Sequence, residues 1–449
     1  MSGETMGGEN LRSVDPQPVD PHLNTLTRTL FRSLHQASGK FAMFGHQNET
    51  SNVIGPNTDS DVHAVTGTYP ALWGSDLSGV ERDETTNIDG FSMGDVRDET
   101  TNIDGFSMGD VRDELLRAYT MGAVTTMSWH SANPITFGGY GHNMAPGSVA
   151  AVLPGGARHG QFLEWLDRVA SFLDSVVDGV SGESVPIVFR PFHEHTGDWF
   201  WWCTGSPAQP TDTTPEQFVA LWRMTVDYLR DSCGLHNVLY AYSPDRSRID
   251  MSSESTCEAG YLYAYPGDEY VDVLGFDDYW DIAPADVEAE RPRERHDDLI
   301  TMLTVVGRLA RERGKIAAAT EVGSPGEFAS RYVMSAEDEA ALAGAGACAS
   351  AADDGCAAHG ESNAVGSGTA QTAAPSESDS PWTRYLLTAA LANSDTRRVL
   401  WYMPWRNDPG AAGTGAYGTP VEGSRYAADF RRFTKHPFIR MANTLPPLY

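Results

Sequence analysis

Glu321 closes a run of small and apolar residues, Ile316 to Glu321 (IAAATE), and Glu194 ends the run Pro186 to Glu194 (PIVFRPFHE). An acid that terminates an otherwise apolar strand is expensive to bury without a partner or a task. Two such carboxyls, one protonated and one ionised, are what cleavage of a glycosidic bond requires: the first assists the leaving group and the second attacks or activates water. Solvated loop acids, or a structural ion pair with Arg190, are equally good readings of these residues alone. Strand alternation puts Arg190, Phe192 and Glu194 on one face and sends His193 to the other unless the strand end carries a bulge. His130 ends another apolar run, Ala123 to His130 (AVTTMSWH). A satisfied buried histidine is the even alternative to a functional one, and its place at a strand end tips the balance.

Competing chemistries are weaker. His193-Glu194-His195 has metal-like residues, yet the zincin pattern needs two further residues before the second histidine, and a helix rather than a strand end. Cys348, Cys356 and His359 lie in a low-complexity stretch, which reads as an unstructured tract rather than a ligand set. Gly138-Gly139-Tyr140-Gly141 lacks the strand, spacing and acidic partner of a dinucleotide site and reads as a flexible loop. Neither a metal nor a cofactor is expected.

Glu194 and Glu321 must be held by elements that end together. Short apolar runs bounded by turn signals alternate with helical patterns, the signature of βα units and a parallel sheet. The runs are Phe41 to His46, Ala71 to Asp76, Ala123 to His130, Pro186 to Glu194, Val238 to Ser243, Val271 to Tyr279, Ile316 to Glu321 and Val399 to Trp405. Nearly all begin apolar and end in residues able to carry chemistry, and a barrel assembles its site at the C-terminal ends of its strands. The expected fold is α/β, a (β/α)8 TIM barrel. Helical patterns fall between the runs, among them Gln161 to Val177, with Phe162, Leu163, Leu166, Val169, Leu173 and Val176 on one stripe, and Pro215 to Leu229 with proline near its start.

The expected organisation is a flexible N-terminal segment, 1–22, followed by a single catalytic barrel domain, 23–449. Two stretches interrupt the pattern. The sequence RDETTNIDGFSMGDV stands at Arg82 to Val96 and again, unchanged, at Arg97 to Val111. Two copies do not make a solenoid. Ser107 and Asp110 of the second copy are spaced as a capping box, so that copy should start the second helix and leave the first as a loop insertion. Residues 336–381 are nearly devoid of large apolar side chains and read as a disordered insertion between strand seven and its helix.

A chain of 449 residues, 41% hydrophobic, can bury a large core as one domain. Its net charge of −29 repels phosphate backbones and anionic membranes, which argues against nucleic-acid and membrane partners and favours a neutral substrate. Eleven Trp, 17 Tyr and 17 Phe could stack on sugar rings, although most aromatics are simply core. Five scattered cysteines argue against a disulfide framework. The N-terminus carries no continuous apolar stretch, so the chain as written is expected in the cytoplasm, or secreted if its start is mis-assigned. A monomer is expected.

The residues also resemble a known family. Arg190-Pro191-Phe192-His193-Glu194, followed by Gly197-Asp198-Trp199-Phe200-Trp201-Trp202, resembles the acid/base region of glycoside hydrolase family 26, and Thr320-Glu321-Val322-Gly323 resembles its nucleophile strand. Gly45-His46-Gln47, Ser128-Trp129-His130 with Asn133-Pro134, Gly275-Phe276-Asp277-Asp278-Tyr279 and Trp405-Arg406-Asn407 are similar to further patterns of that family, in the right order from about Leu23 to the C-terminus. The resemblance implies a retaining endo-β-1,4-mannanase with Glu194 as acid/base and Glu321 as nucleophile, acting on mannan or manno-oligosaccharides. It further implies that His130, Arg190, His193, Trp199, Asp277, Tyr279 and Trp405 line the cleft. Arg190 and Tyr279 would hydrogen-bond the nucleophile, and Trp199 and Trp405 would offer faces to sugar rings. Enzymes of the same fold acting on β-1,3-xylan or mixed-linkage β-glucan, and a non-catalytic carbohydrate-binding barrel, are the alternatives.

Overall fold

The computed structural model describes residues 16–55, 58–81, 106–139, 142–279, 281, 292–323, 381–407, 418–424 and 426–449. Eight strands form a closed parallel barrel. They are β1 (Ala42–Gln47), β2 (Leu72–Asp76), β3 (Val124–Trp129), β4 (Ile187–Pro191), β5 (Val238–Tyr242), β6 in two short pieces (Val273–Leu274 and Asp277–Asp278), β7 (Ile316–Val322) and β8 (Val399–Pro404). Each pairs with the next, and β8 returns to β1 with Met43 opposite Trp401. All of these strands are buried along their length, as strands covered on both faces must be, which is why they appear as near-continuous apolar runs.

Side chains from the beginnings of the strands, including Met43, Leu72, Val124, Val188, Val273 and Ile316, form one core cluster with Leu30, Phe31 and Leu34 of the helix Thr25–Ala37. That helix therefore closes the amino end of the barrel and leaves the carboxyl end for the site. A second, larger core lies between strands and outer helices. Its helix His159–Asp174 buries Phe162, Trp165, Leu166, Val169 and Leu173, so Trp165 takes the place expected for Leu163 on the stripe. The helix Pro215–Asp227 starts as expected, with Thr214 and Gln217 in a capping box and proline in the first turn.

The packed chain begins before residue 23, contrary to the expected boundary. Val19 and Asp20 are buried, the Val19 amide donates to Asp272, and Asp20 pairs with His236 at 2.8 Å. Residues 1–15 of the expected flexible segment, and the expected insertion but for Pro381, lie outside the described residues, as do Cys348 and Cys356. Cys203, Cys233 and Cys257 are unpaired. Among the described residues no helix is long and apolar enough to cross a membrane.

The capping box at Ser107 and Asp110 is formed, and it starts the helix Met108–Thr120. Most of the tandem duplication, 82–105, is outside the described residues. Because the two copies are identical, deleting Arg82 to Val96 leaves a cap of the same composition before the same helix. The expected result is an almost unchanged melting temperature by calorimetry; a drop of many degrees would mean that the extra copy is packed. Salt should act more strongly. A surface carrying a net charge of −29 repels itself, and the Debye length shrinks to about 3 Å at 1 M salt. Molar KCl is expected to raise the melting temperature, and a flat response between low and molar salt would show that self-repulsion does not limit stability.

Candidate active site

Register brings the first acids together. Glu321 on β7 lies directly opposite Asp277 of β6. Arg190 of β4 joins them: one guanidinium nitrogen donates to Asp277 at 2.8 Å and to the Ser243 hydroxyl at 3.1 Å, and the other donates to Glu321. The Tyr279 hydroxyl donates to the second oxygen of Glu321. Glu321 is 2% exposed, so both oxygens of a buried carboxylate are held by fixed donors. Asp277 is 0% exposed and also accepts from Thr320 at 2.7 Å. Through its bond with Arg190 it helps to orient that guanidinium.

Glu194 arrives by a departure from strand geometry. Regular pairing in β4 stops at Pro191, and both Phe192 (φ 50°) and Glu194 (φ 55°) adopt the left-handed conformation, which is costly for side chains of this size and is found where surrounding structure enforces it. Phe192 consequently turns out into the aromatic core, with ring centres 6.3 Å from both Trp129 and Trp222, and does not share a face with Arg190 and Glu194 as alternation predicts. His193 and Glu194 both reach the site side. The Glu194 amide donates to the Ser243 carbonyl at 2.7 Å, and its carboxylate accepts from the Trp199 indole nitrogen at 2.6 Å. Burial, reinforced by the negative charges of Glu321, Asp245 and Asp277, pushes the Glu194 carboxyl well above the ordinary range. It is thus fitted to keep its proton to higher pH than an ordinary carboxyl.

One oxygen each of Glu194, Asp277 and Glu321 lie within 4.8 Å of one another. Three carboxylates so placed could hold a cation, but the Arg190 guanidinium already sits against Asp277 and Glu321 and supplies the positive charge there. His195 does not converge on this group. Its ring nitrogens bond Thr204 at 3.1 Å and the Tyr242 hydroxyl at 2.9 Å.

A second set of side chains adjoins the first. His130 pairs with Asp76 at 2.7 Å through Nδ1 and meets His193 at 3.1 Å through Nε2. Burial opposes the charge on His130, yet the Asp76 carboxylate raises its pKa overall. Asp76 itself is lowered, because His130, Ser128 and Ser78 overcome its burial. His193 is held well below the ordinary histidine value by burial and by the positive charges of His130 and Arg190. Of the two rings in contact, His130 is therefore the one that holds a proton more firmly. Trp405, half-buried after β8, lies with its ring centre 5.8 Å from that of His130.

All the residues expected at the site are thus brought to the carboxyl end of the barrel. Asp76, Ser243 and Thr320 were not anticipated. Their signal was present, since Asp76 and Ser243 end the second and fifth apolar runs as Glu321 ends the seventh.

A closed (β/α)8 barrel with two buried glutamates facing one another at the ends of β4 and β7 defines the class of protein. Comparison with known sequences defines the family. The profile of glycosyl hydrolase family 26 matches residues 19–338, and the chain belongs to that family. It is 32% identical over 318 residues to a mannan endo-1,4-beta-mannosidase of Bifidobacterium adolescentis, covering 69% of this chain and 28% of the relative. It is 26% identical over 278 residues to a mannan endo-1,4-beta-mannosidase of Bacillus subtilis, covering 59% and 66%. The chain therefore spans less than two thirds of either relative's length. The structure of a GH26 beta-mannanase from Bacteroides ovatus superimposes with a TM-score of 0.69 at 30% identity, over 95% of this chain and 97% of that one.

Proposed function

We propose that this chain is a retaining, endo-acting β-1,4-mannanase with Glu194 as acid/base and Glu321 as nucleophile. The observation that carries the reading is the approach of the two carboxylates, whose oxygens lie within 4.8 Å. Retaining glycosidases place their carboxyls about 5–5.5 Å apart, whereas inverting enzymes need about 6.5–9.5 Å to admit a water. Glu321, fixed by Arg190 and Tyr279, attacks the anomeric carbon while Glu194 delivers its proton to the departing oxygen. Glu194 then takes a proton from the water that releases the sugar. His130, His193 and Trp405 would contact the sugar, and Arg190, Asp277, Tyr279 and Trp199 would hold the two carboxyls in register. The mannan preference is supported by the activities named for the relatives. A panel of mannan, β-1,3-xylan and mixed-linkage β-glucan, with product lengths resolved by chromatography, tests it. Early release of mixed manno-oligosaccharides from mannan is expected, and cleavage confined to xylan or glucan would overturn the substrate assignment.

Trp199 offers a test by pH. Its indole N–H stabilises the ionised form of Glu194, so it holds down a pKa that burial raises. In Trp199→Phe that restraint is lost and the acid keeps its proton to higher pH. The basic limb of kcat/KM is expected to move upward, with a lower plateau; a limb that stayed in place would detach Trp199 from the acid/base.

A further inference from the structure

Arg248 lies on the short turn Arg246–Arg248 that follows β5, where Asp245 caps the turn by accepting from the Ser247 amide at 2.8 Å. The two arginines of the turn diverge. Arg246 pairs with Asp281 at 2.7 Å and with Asp298 at 2.6 Å. Arg248 reaches towards the mouth of the site, with one guanidinium nitrogen 2.7 Å from the Asp198 carboxylate, the other donating to Gln209, and the guanidinium carbon 6.0 Å from the centre of the Trp199 ring.

Trp199 is the residue whose indole N–H holds Glu194. Its ring lies directly against the backbone of Gly197, where an added Cβ would come within 2.5 Å of it. The loop carrying Glu194 and Trp199 is tied to the loop after β5 at three points. The Glu194 amide donates to the Ser243 carbonyl at 2.7 Å, the Thr196 hydroxyl to the Asp245 carbonyl at 2.7 Å, and Arg248 pairs with Asp198. The first two are buried and hold the backbone. The third is partly solvated, with Arg248 21% and Asp198 53% exposed, and such pairs add little to stability. Its consequence is local: a planar cation laid by the indole and anchored at both ends restricts where that ring can go.

We propose that Arg248 is a positioning residue that, through Asp198 and Gln209, holds the Trp199 indole against Gly197 and so keeps its N–H on the Glu194 carboxyl. The proposal rests on the assignment of Glu194 as acid/base. The charged and titratable groups facing Glu194 are Arg190 from β4, the Cys203 thiol from its own loop, Asp245 after β5, Asp277 and Tyr279 from β6 and its end, and Glu321 from β7. Arg248 acts on Glu194 through Trp199, so its loss should weaken proton delivery and spare nucleophilic attack.

Arg248→Ala, Arg248→Lys and Gly197→Ala, with Trp199→Phe as reference, separate these effects when assayed on aryl β-manno-oligosaccharides of graded leaving-group ability. In parallel the Glu194 carboxyl is titrated by 13C NMR, its signal assigned with Glu194→Gln. Protonation by a side chain contributes about 10²–10⁴-fold, and misplacing it should forfeit part of that. For Arg248→Ala we expect a loss of about tenfold on poor leaving groups and less than about twofold on dinitrophenyl glycosides. The basic limb and the NMR titration should both move upward, as in Trp199→Phe. Gly197→Ala should follow the same pattern, and Arg248→Lys should fall between, because lysine can pair with Asp198 but offers no planar face. Equal losses on good and poor leaving groups with an unmoved titration would overturn the proposal, as would a rise in KM alone. The NMR arm needs no substrate, so a wild-type protein inert on every mannoside would defeat the functional reading while still deciding whether Arg248 governs Glu194.

Discussion

Glu321→Ala is expected to abolish turnover on every substrate, while Glu194→Ala fails in a different and more informative way. Without Glu321 no covalent intermediate can form. Without Glu194 a substrate with a good leaving group still reacts, since that departure needs little protonation, and the glycosyl-enzyme then accumulates because no base activates water. A burst followed by slow hydrolysis is expected. Azide, which needs no general base, should accelerate turnover and give a β-glycosyl azide. The basic limb of the wild-type pH profile should report Glu194, whose pKa is raised by burial and neighbouring charges, and should vanish in Glu194→Ala. Absence of a burst in Glu194→Ala, with one present in Glu321→Ala, would exchange the two roles.

Removing Arg190 should have the largest effect on the fold. The side chain is 1% exposed and pairs with two carboxylates that are themselves buried. Breaking such a set by deleting one partner leaves uncompensated charge, which typically costs about 3–5 kcal/mol. Arg190→Met should lose stability on that scale in chemical denaturation, and its residual folded fraction should turn over at least about a hundredfold more slowly because Glu321 is no longer held in place. Arg190→Lys should recover part of the stability and little of the activity, since an ammonium lacks the fork that reaches Asp277, Ser243 and Glu321 together. A variant within about 1 kcal/mol of wild type, the scale of a surface pair, would mean that the buried triad is not the keystone of the site.

Much of this was legible in the residues because strands buried on both faces appear as short apolar runs, and the acids that end them are conspicuous. Ile316 to Glu321 and the capping box at Ser107 are cases where local pattern and tertiary structure agree. Alternation failed at Phe192, where two left-handed residues let His193 and Glu194 share a side; no period-2 reading anticipates a conformation that only the surrounding core enforces. Asp277 was legible as a site residue but not as a buried one, because which side of Arg190 it occupies depends on the pairing of β6 with β7. The upward shift of the His130 pKa was likewise hidden, since it depends on Asp76 from a neighbouring strand.

The most direct test of the double-displacement reading is to trap its intermediate. A fluorinated manno-oligosaccharide with a good leaving group, which forms a glycosyl-enzyme faster than it releases one, should inactivate the protein with a mass increase of one glycosyl unit. Peptide mapping should place that adduct on Glu321. An adduct on any other residue, or a product of inverted configuration with no adduct at all, would contradict the account.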